Sequence, residues 1–248
     1  MVTGGRGEFR RGEAFASMRL LHVTDFHFRE RWFHWLSVQA AHFDACCFSG
    51  DLLDMFPGSR TGLRTQARWV RDWLREFPGC LYVCTGNHDW WPSDERVVDN
   101  DADGGWLRKA ARSSVMVDGT SMSRDGYRFV CTPWAHTPVV EGDEPAVLLV
   151  HAPPLATPIS SDLGREVGDP DVAAAVEELP VGSLVLSGHI HDPRRWHARL
   201  GGTWCFNPGV DRSAEVPNHI VIDTGAKEAT FRGWGREFGP MQLSNAHS

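Results

Sequence analysis

The stretch VCTGNHDWW (residues 83–91) breaks off an apolar run on Gly86, Asn87, His88 and Asp89. A buried strand that stops on an amide, an imidazole and a carboxylate carries metal-ligand or acid–base chemistry at its tip. A single tip of this kind is also ordinary turn chemistry, because Asn and Asp side chains bond their own backbone. The reading of the fold therefore turns on whether other strands end the same way.

They do. LLHVTDFH (20–27) ends on Asp25 and His27, and CCFSGDLLD (46–54) on Asp51 and Asp54. VLLVH (147–151) ends on His151, and VLSGHIH (185–191) on His189 and His191. Each has a plain alternative. Asp-x-His is common loop sequence, and Gly-Asp-x-x-Asp is commonly a turn before a helix cap. A lone His151 reads as a hydrogen-bonded core histidine, and Gly-His-x-His only puts two imidazoles on one side of an extended segment. Taken together, five strand-like elements stop on ligand chemistry. Ligands in α/β sheets bind at the carboxyl ends of strands, so these tips are expected to converge at one edge.

Strand-like runs recur at 18–24, 43–49, 80–85, 127–132, 146–151, 183–188, 203–206 and 219–223. Several are almost continuously apolar, as strands covered on both faces should be. Helical candidates lie at 31–42, 62–77 and 171–179. In the second, Leu63, Ala67, Val70 and Leu74 recur at helical spacing with arginines on the other face. The third opens on Asp169-Pro170-Asp171, which is capping chemistry. Alternating strands and helices predict an α/β fold. The later strands follow one another with little helix between them, which predicts a second sheet packed on the first. The Pro- and Gly-rich stretches 133–145 and 153–170 read as functional loops.

A chain of 248 residues fits one large domain. The regular pattern starts at Met18, so residues 1–17 are expected to be a flexible tail and 18–248 a single domain. No run approaches the ~20 apolar residues of a spanning helix, and no apolar segment of a secretory signal precedes Met18. Net charge is −7, a poor match to stable nucleic-acid binding, although acidic groups that hold cations reverse the local sign. Cysteines 46, 47, 80, 84, 131 and 205 mostly lie in apolar runs and read as free thiols of a cytoplasmic protein.

In order, Asp-x-His, Gly-Asp-x-x-Asp, Gly-Asn-His-Asp, His and Gly-His-x-His resemble the calcineurin-like metallophosphoesterase superfamily over residues 18 to about 210. The resemblance implies a four-layer α-β-β-α sandwich of two mixed sheets, with two divalent metal ions at the strand C-terminal ends. It implies that Asp25, His27 and His191 hold one ion, that Asn87, His151 and His189 hold the other, and that Asp51 bridges them. His88 would face the leaving oxygen, with Asp54 fixing its tautomer. Mixed imidazole and oxygen donors suit Mn2+ first, with Fe2+, Zn2+, Ni2+ and Co2+ as alternatives.

Departures from the superfamily narrow the expectation. Met55 and Phe56 follow Asp54 where the phosphoprotein phosphatases carry Arg-Gly, and the tyrosine ligand of purple acid phosphatases has no counterpart. The chain has no room for the extra DNA-binding domains of the double-strand-break nucleases. What remains resembles the small bacterial phosphodiesterases, including the class III cyclic-nucleotide type, and GGTWCFNPG (201–209) resembles their site-closing segment. The expected substrate is a small phosphate ester, with nucleotides among the candidates. Diesters come first because no arginine clamp for a dianionic monoester is visible. A phosphomonoesterase or nucleotide pyrophosphatase would share the metal site, and a non-catalytic scaffold of the same fold would have lost ligands. Trp90, Trp134 and His136 are candidates for substrate contact, against the reading that the tryptophans pack the sandwich. Arg194 and Arg195 read as solvated loop charges.

Overall fold

The computed structural model describes residues 17–91, 101–162 and 164–244. Residues 1–16 of the expected tail lie outside the described residues; Ser17 bonds Asp223 through its hydroxyl. From Met18 the chain enters strand β1 (Arg19–Val23), followed by helix α1 (Glu30–Gln39), β2 (Ala45–Ser49), helix α2 (Leu63–Glu76) and β3 (Leu81–Cys84). Short α3 (Gly105–Arg108) and β4 (Val115–Met116) come next, then β5 (Ser121–Arg124), β6 (Tyr127–Cys131) and β7 (Ala146–Leu149). A small hairpin, β8 (Ser161–Asp162) and β9 (Arg165–Glu166), precedes α4 (Pro170–Glu177). The chain closes with β10 (Leu184–Leu186), β11 (His197–Leu200), β12 (Thr203–Phe206), β13 (His219–Asp223), β14 (Glu228–Gly233) and β15 (Arg236–Gln242).

Two mixed sheets result. The first runs β15-β14-β13-β1-β2-β3-β4, and the second β11-β12-β10-β7-β6-β5. The strands that end on the candidate residues are parallel neighbours: β1 with β2 and β2 with β3 in the first sheet, β7 with β10 in the second. That brings the carboxyl ends of each set to one edge.

The side-chain period of two explains the layers. Leu20, Cys47, Tyr82 and Ile222 of the first sheet meet Phe129, Val147, Leu186 and Phe206 of the second in one buried cluster. Tyr82 and Phe129 stack across it with ring centroids 4.0 Å apart. The opposite face of the first sheet, through Leu21, Cys46, Phe48 and Val83, is covered by Phe33 and Leu36 of α1 and Val70 and Leu74 of α2. On the outer face of the second, Leu148 and Val185 pack on Val172 and Val176 of α4. The order is therefore helix, sheet, sheet, helix, the sandwich expected from sequence. Asp169 caps α4 by accepting the N–H groups of Asp171 and Val172. No described helix is long and apolar enough to cross a membrane. All six cysteines are free.

Candidate metal centre

Asp25 and His27 follow β1, Asp51 follows β2, and Asn87 and His88 follow β3, all on the first sheet. His151 follows β7, and His189 and His191 follow β10, on the second. The loops after β1 and β2 are tied together: Asp25 N–H donates to the Gly50 carbonyl, His27 N–H to Asp51 and Phe28 N–H to Leu52. Asp25, His27, Asp51 and His189 have φ of 55°, 43°, 58° and 68°. Non-glycine residues seldom adopt this left-handed conformation, and such strain concentrates where function demands it. Close approach explains two glycines of the motifs. A Cβ on Gly86 would lie 2.5 Å from the Asp51 amide nitrogen and 2.9 Å from His151 Cδ2. One on Gly188 would run into the Thr24 hydroxyl and Asp25 Oδ2.

The side chains face one another in two groups that share Asp51. In the first, His27 Nε2 and His191 Nε2 are 2.9 Å apart, and Asp25 Oδ1 lies 3.3 Å from His191 Nε2. Asp51 Oδ2 is 3.9 Å from His27 Nε2. One ligand atom each from Asp25, His27, Asp51 and His191 lie within 4.8 Å of one another. In the second, Asn87 Oδ1 is 3.1 Å from His151 Nε2 and 2.9 Å from His189 Nδ1. Asp51 Oδ1 is 3.3 Å from His151 Nε2. Asp51 thus turns one oxygen toward each group.

The donor chemistry fits cations. Asp25 Oδ2 accepts the Thr24 hydroxyl at 2.6 Å and the His189 N–H at 3.1 Å, whereas buried Oδ1 has no donor. A buried carboxylate oxygen left bare is costly unless a cation meets it. His151 Nδ1 lies 2.7 Å from the Ser49 carbonyl, which fixes its proton there and leaves the Nε2 lone pair facing the site. Burial holds His27 and His189 down to about 4, so both rings are neutral at pH 7, the form that can offer a lone pair to a cation. Burial works against the charge of His151 too, but Asp51 and Asp25 outweigh it and raise it to about 9 in the metal-free chain. Asp25 and Asp51 stay below the ordinary carboxylate range despite burial, Asp25 held down by His191 and Asp51 by His151.

His88 lies at the rim of this cluster, with Nε2 4.0 Å from Asp51 Oδ2 and its own N–H donated to Asp51 Oδ1 at 2.8 Å. The structure corrects the expected role of Asp54. His88 Nδ1 accepts the backbone N–H of Met55 at 3.0 Å, while Asp54 Oδ1 accepts the N–H of Phe56 and closes its own turn. Asp54 reaches His88 only as a nearby charge. A backbone donor on Nδ1 puts the imidazole proton on Nε2, on the side of the ligand cluster. Burial keeps the ring below its ordinary pKa. The backbone carries no side-chain identity, so sequence reading had no signal for this contact.

Asp89 takes the N–H groups of Leu52, Leu53 and Gly86, which staples the Asp51 loop to the Asn87 loop from beneath. Burial and the neighbouring Asp51 raise its carboxyl to about 8. Asn207, in the segment read as closing the site, donates to the carbonyls of Gly188 and Ile190 and so holds the His189–His191 loop.

Trp134 lies with its ring 5.5 Å from both His151 and His189, and its backbone N–H donates to Thr85 Oγ1. Trp90 and His136 meet each other, 6.0 Å apart, and among the ring contacts of the described residues Trp134 is the one of the three that meets His151 and His189. Sequence reading missed Arg212. Its guanidinium sits 3.9 Å over the Phe56 ring, and Phe56 in turn lies 4.4 Å from the His88 ring. Its Nη2 is 3.4 Å from His191 Nδ1. Arg212 comes from the loop between β12 and β13, with no motif around it to mark it.

Fold and cluster together define a class: an α-β-β-α sandwich whose two sheets pool carboxylate, amide and imidazole ligands at one edge. Residues 18–193 match the family model described as calcineurin-like phosphoesterase, and the chain belongs to that family. TT1561 of Thermus thermophilus is similar in structure, at 18% identity and a TM-score of 0.59 over 88% of this chain and 99% of that one. A second crystal structure has a TM-score of 0.63 at 14% identity, covering 89% of this chain and 100% of its own. YfcE, a phosphoesterase from E. coli, has 16% identity and a TM-score of 0.44 over 91% of this chain and 93% of its own. No curated protein matches the chain.

Proposed function

We propose that this chain is a two-metal phosphoesterase of the cytoplasm. The observation that carries the proposal is Asp51, whose two oxygens face two groups of side chains, each drawn from both sheets. Asp25, His27 and His191 would hold one divalent ion and Asn87, His151 and His189 the other, with Asp51 shared. Such a pair supplies charge neutralisation and a hydroxide nucleophile at neutral pH. Mixed nitrogen and oxygen donors favour Mn2+ and also accept Fe2+, Zn2+, Ni2+ or Co2+. His88 offers an Nε2–H donor to the leaving oxygen, held in that tautomer by Met55. Trp134 walls the site on the side of His151 and His189, with Trp90 and His136 behind it.

The substrate is a small phosphate ester, and diesters are the first reading. That preference rests on the lack of an arginine clamp, and Arg212 at the mouth favours a second reading in which monoester dianions are also accepted. Initial rates on bis(p-nitrophenyl) phosphate and p-nitrophenyl phosphate in excess Mn2+ separate the two. No turnover of either ester by a chain that binds two equivalents of metal would favour a scaffold and refute the proposal.

A further inference from the structure

A cavity of about 620 Å³ opens beside His191, walled by Val210, Arg212 and Trp234. A second, of about 470 Å³, is lined by Arg194, Arg195, Arg236, Trp196 and Phe238. Pro193 and Trp234 line both. The two adjoin at these residues, an open two-part channel that runs from His191 past Trp234 to Phe238.

The farther cavity is cationic in a chain of net charge −7, whereas Asp192 and Asp211 join Arg212 in lining the nearer one. Arg194, Arg195 and Arg236 are exposed, and among the described residues no carboxylate lines the farther cavity. It is also aromatic. Trp234 and Phe238 are 38% and 46% exposed, and both rings pack on Phe231, at 5.2 Å and 6.0 Å.

Trp234 occupies an unexpected place. The hairpin pairs Gly233 with Arg236, which leaves a two-residue turn with φ of 49° at Trp234 and 66° at Gly235. Positive φ at both positions is the type I′ pattern, which favours Asn, Asp or Gly at the first. A bulky indole there is strained. Its tip reaches the wall of the metal centre: a Cβ on Gly209 would lie 3.2 Å from Trp234 Cη2 and 2.6 Å from the His191 carbonyl. The turn gives up its preferred residue to hold an exposed ring beside a candidate metal ligand.

We propose that the channel binds the far part of the substrate: a nucleotide joined to the reacting phosphate, with its base on Trp234 and its second phosphate on Arg194, Arg195 and Arg236. Stacked bases need an open aromatic face, and phosphates need arginines free of carboxylates. This rests on the phosphoesterase reading of the metal centre, and it differs from the sequence expectation in placing substrate contacts on the His191 side as well as at Trp134. It also gives Arg194 and Arg195 a role beyond solvated charge.

The test is calorimetric titration of the Mn2+-loaded protein with thymidine 3′,5′-bisphosphate and, separately, with orthophosphate. The native chain should bind the bisphosphate at least about tenfold more tightly than orthophosphate, the worth of one stacked base. Trp234→Asn, which suits the turn, should cut that ratio about tenfold, as should the double substitution Arg194→Gln, Arg236→Gln. Thermal melting checks that both variants fold. Equal affinity for the two ligands in the native chain, or an unchanged ratio in both folded variants, overturns the channel. Failure of the phosphoesterase reading would show separately, as absent turnover of both chromogenic esters with metal bound, and the titration would still decide the channel.

Discussion

Asp51→Asn isolates the electrostatic part of the metal centre. Oδ1 of Asp51 accepts the His88 N–H at 2.8 Å, so the amide oxygen of asparagine should keep that bond. The amide NH2 then falls where Oδ2 was, facing His27 Nε2 across 3.9 Å. The fold retains its hydrogen bond, while both ligand groups lose their shared negative charge. His151 gives the magnitude. Burial disfavours its charged form, yet Asp51 and Asp25 raise it from 6.5 to about 9. The surroundings of His151, with Asp51 the largest favourable contributor, are therefore worth about 3 kcal/mol net to a single positive charge. A divalent cation gains at least as much, so affinity should fall by about 100-fold or more. Calorimetric titration with Mn2+ measures this directly: two equivalents should bind the native chain, and at most one the variant at comparable concentrations. Two equivalents bound to Asp51→Asn with affinities within about threefold of native would refute the reasoning.

His88→Ala should lower kcat by about 10²–10⁴-fold while metal stoichiometry is retained, since its ring donates rather than ligates; a parallel loss of metal would make it a ligand. Gly86→Ala should cost about 1–3 kcal/mol in thermal or denaturant unfolding, because the added Cβ presses on the Asp51 backbone and the His151 ring. A native Tm would show that the loops yield. His22 is fully buried beside Ser49, and burial lowers it from 6.5 to about 3. The unfolded chain takes this proton first, so stability present above pH 6.5 is lost as pH falls toward 3, to a total of about 5 kcal/mol. His22→Gln should flatten that part of the acid-unfolding curve followed by circular dichroism, and an unchanged acid midpoint would remove His22 as a cause.

Interior strands were legible from sequence. All eight apolar runs became strands, because a strand covered on both faces writes itself as consecutive apolar residues. The strands that escaped include all four edges of the two large sheets: β4, β5, β11 and β15. Edge strands often carry polar side chains, and Ser121–Arg124 and Arg236–Gln242 are almost wholly exposed, whereas β4 is buried and apolar but only two residues long. The β14–β15 turn was hidden for a second reason: Trp-Gly replaces the Asn-Gly that marks such turns. Ligand residues could be read because they sit next to strands in sequence. Arg212 and the Met55 amide could not, since one arrives from a distant loop and the other has no side-chain signature.

The candidate metal centre straddles the gap between the sheets, and this would give bound cations a mechanical role. Asp25, His27, Asp51 and Asn87 hang from one sheet, and His151, His189 and His191 from the other. His27 and His191, 2.9 Å apart in space, are 164 residues apart in the chain. Closing so long a loop is slow, so the ligand set is complete only after the sheets have docked. A cation bound there acts as a rivet across the sandwich, absent from the unfolded chain and from each sheet alone. At a free concentration about 100 times its Kd it adds ~2.7 kcal/mol to the folded state, so the melting temperature should rise with metal concentration and a chelator should loosen the seam between the sheets.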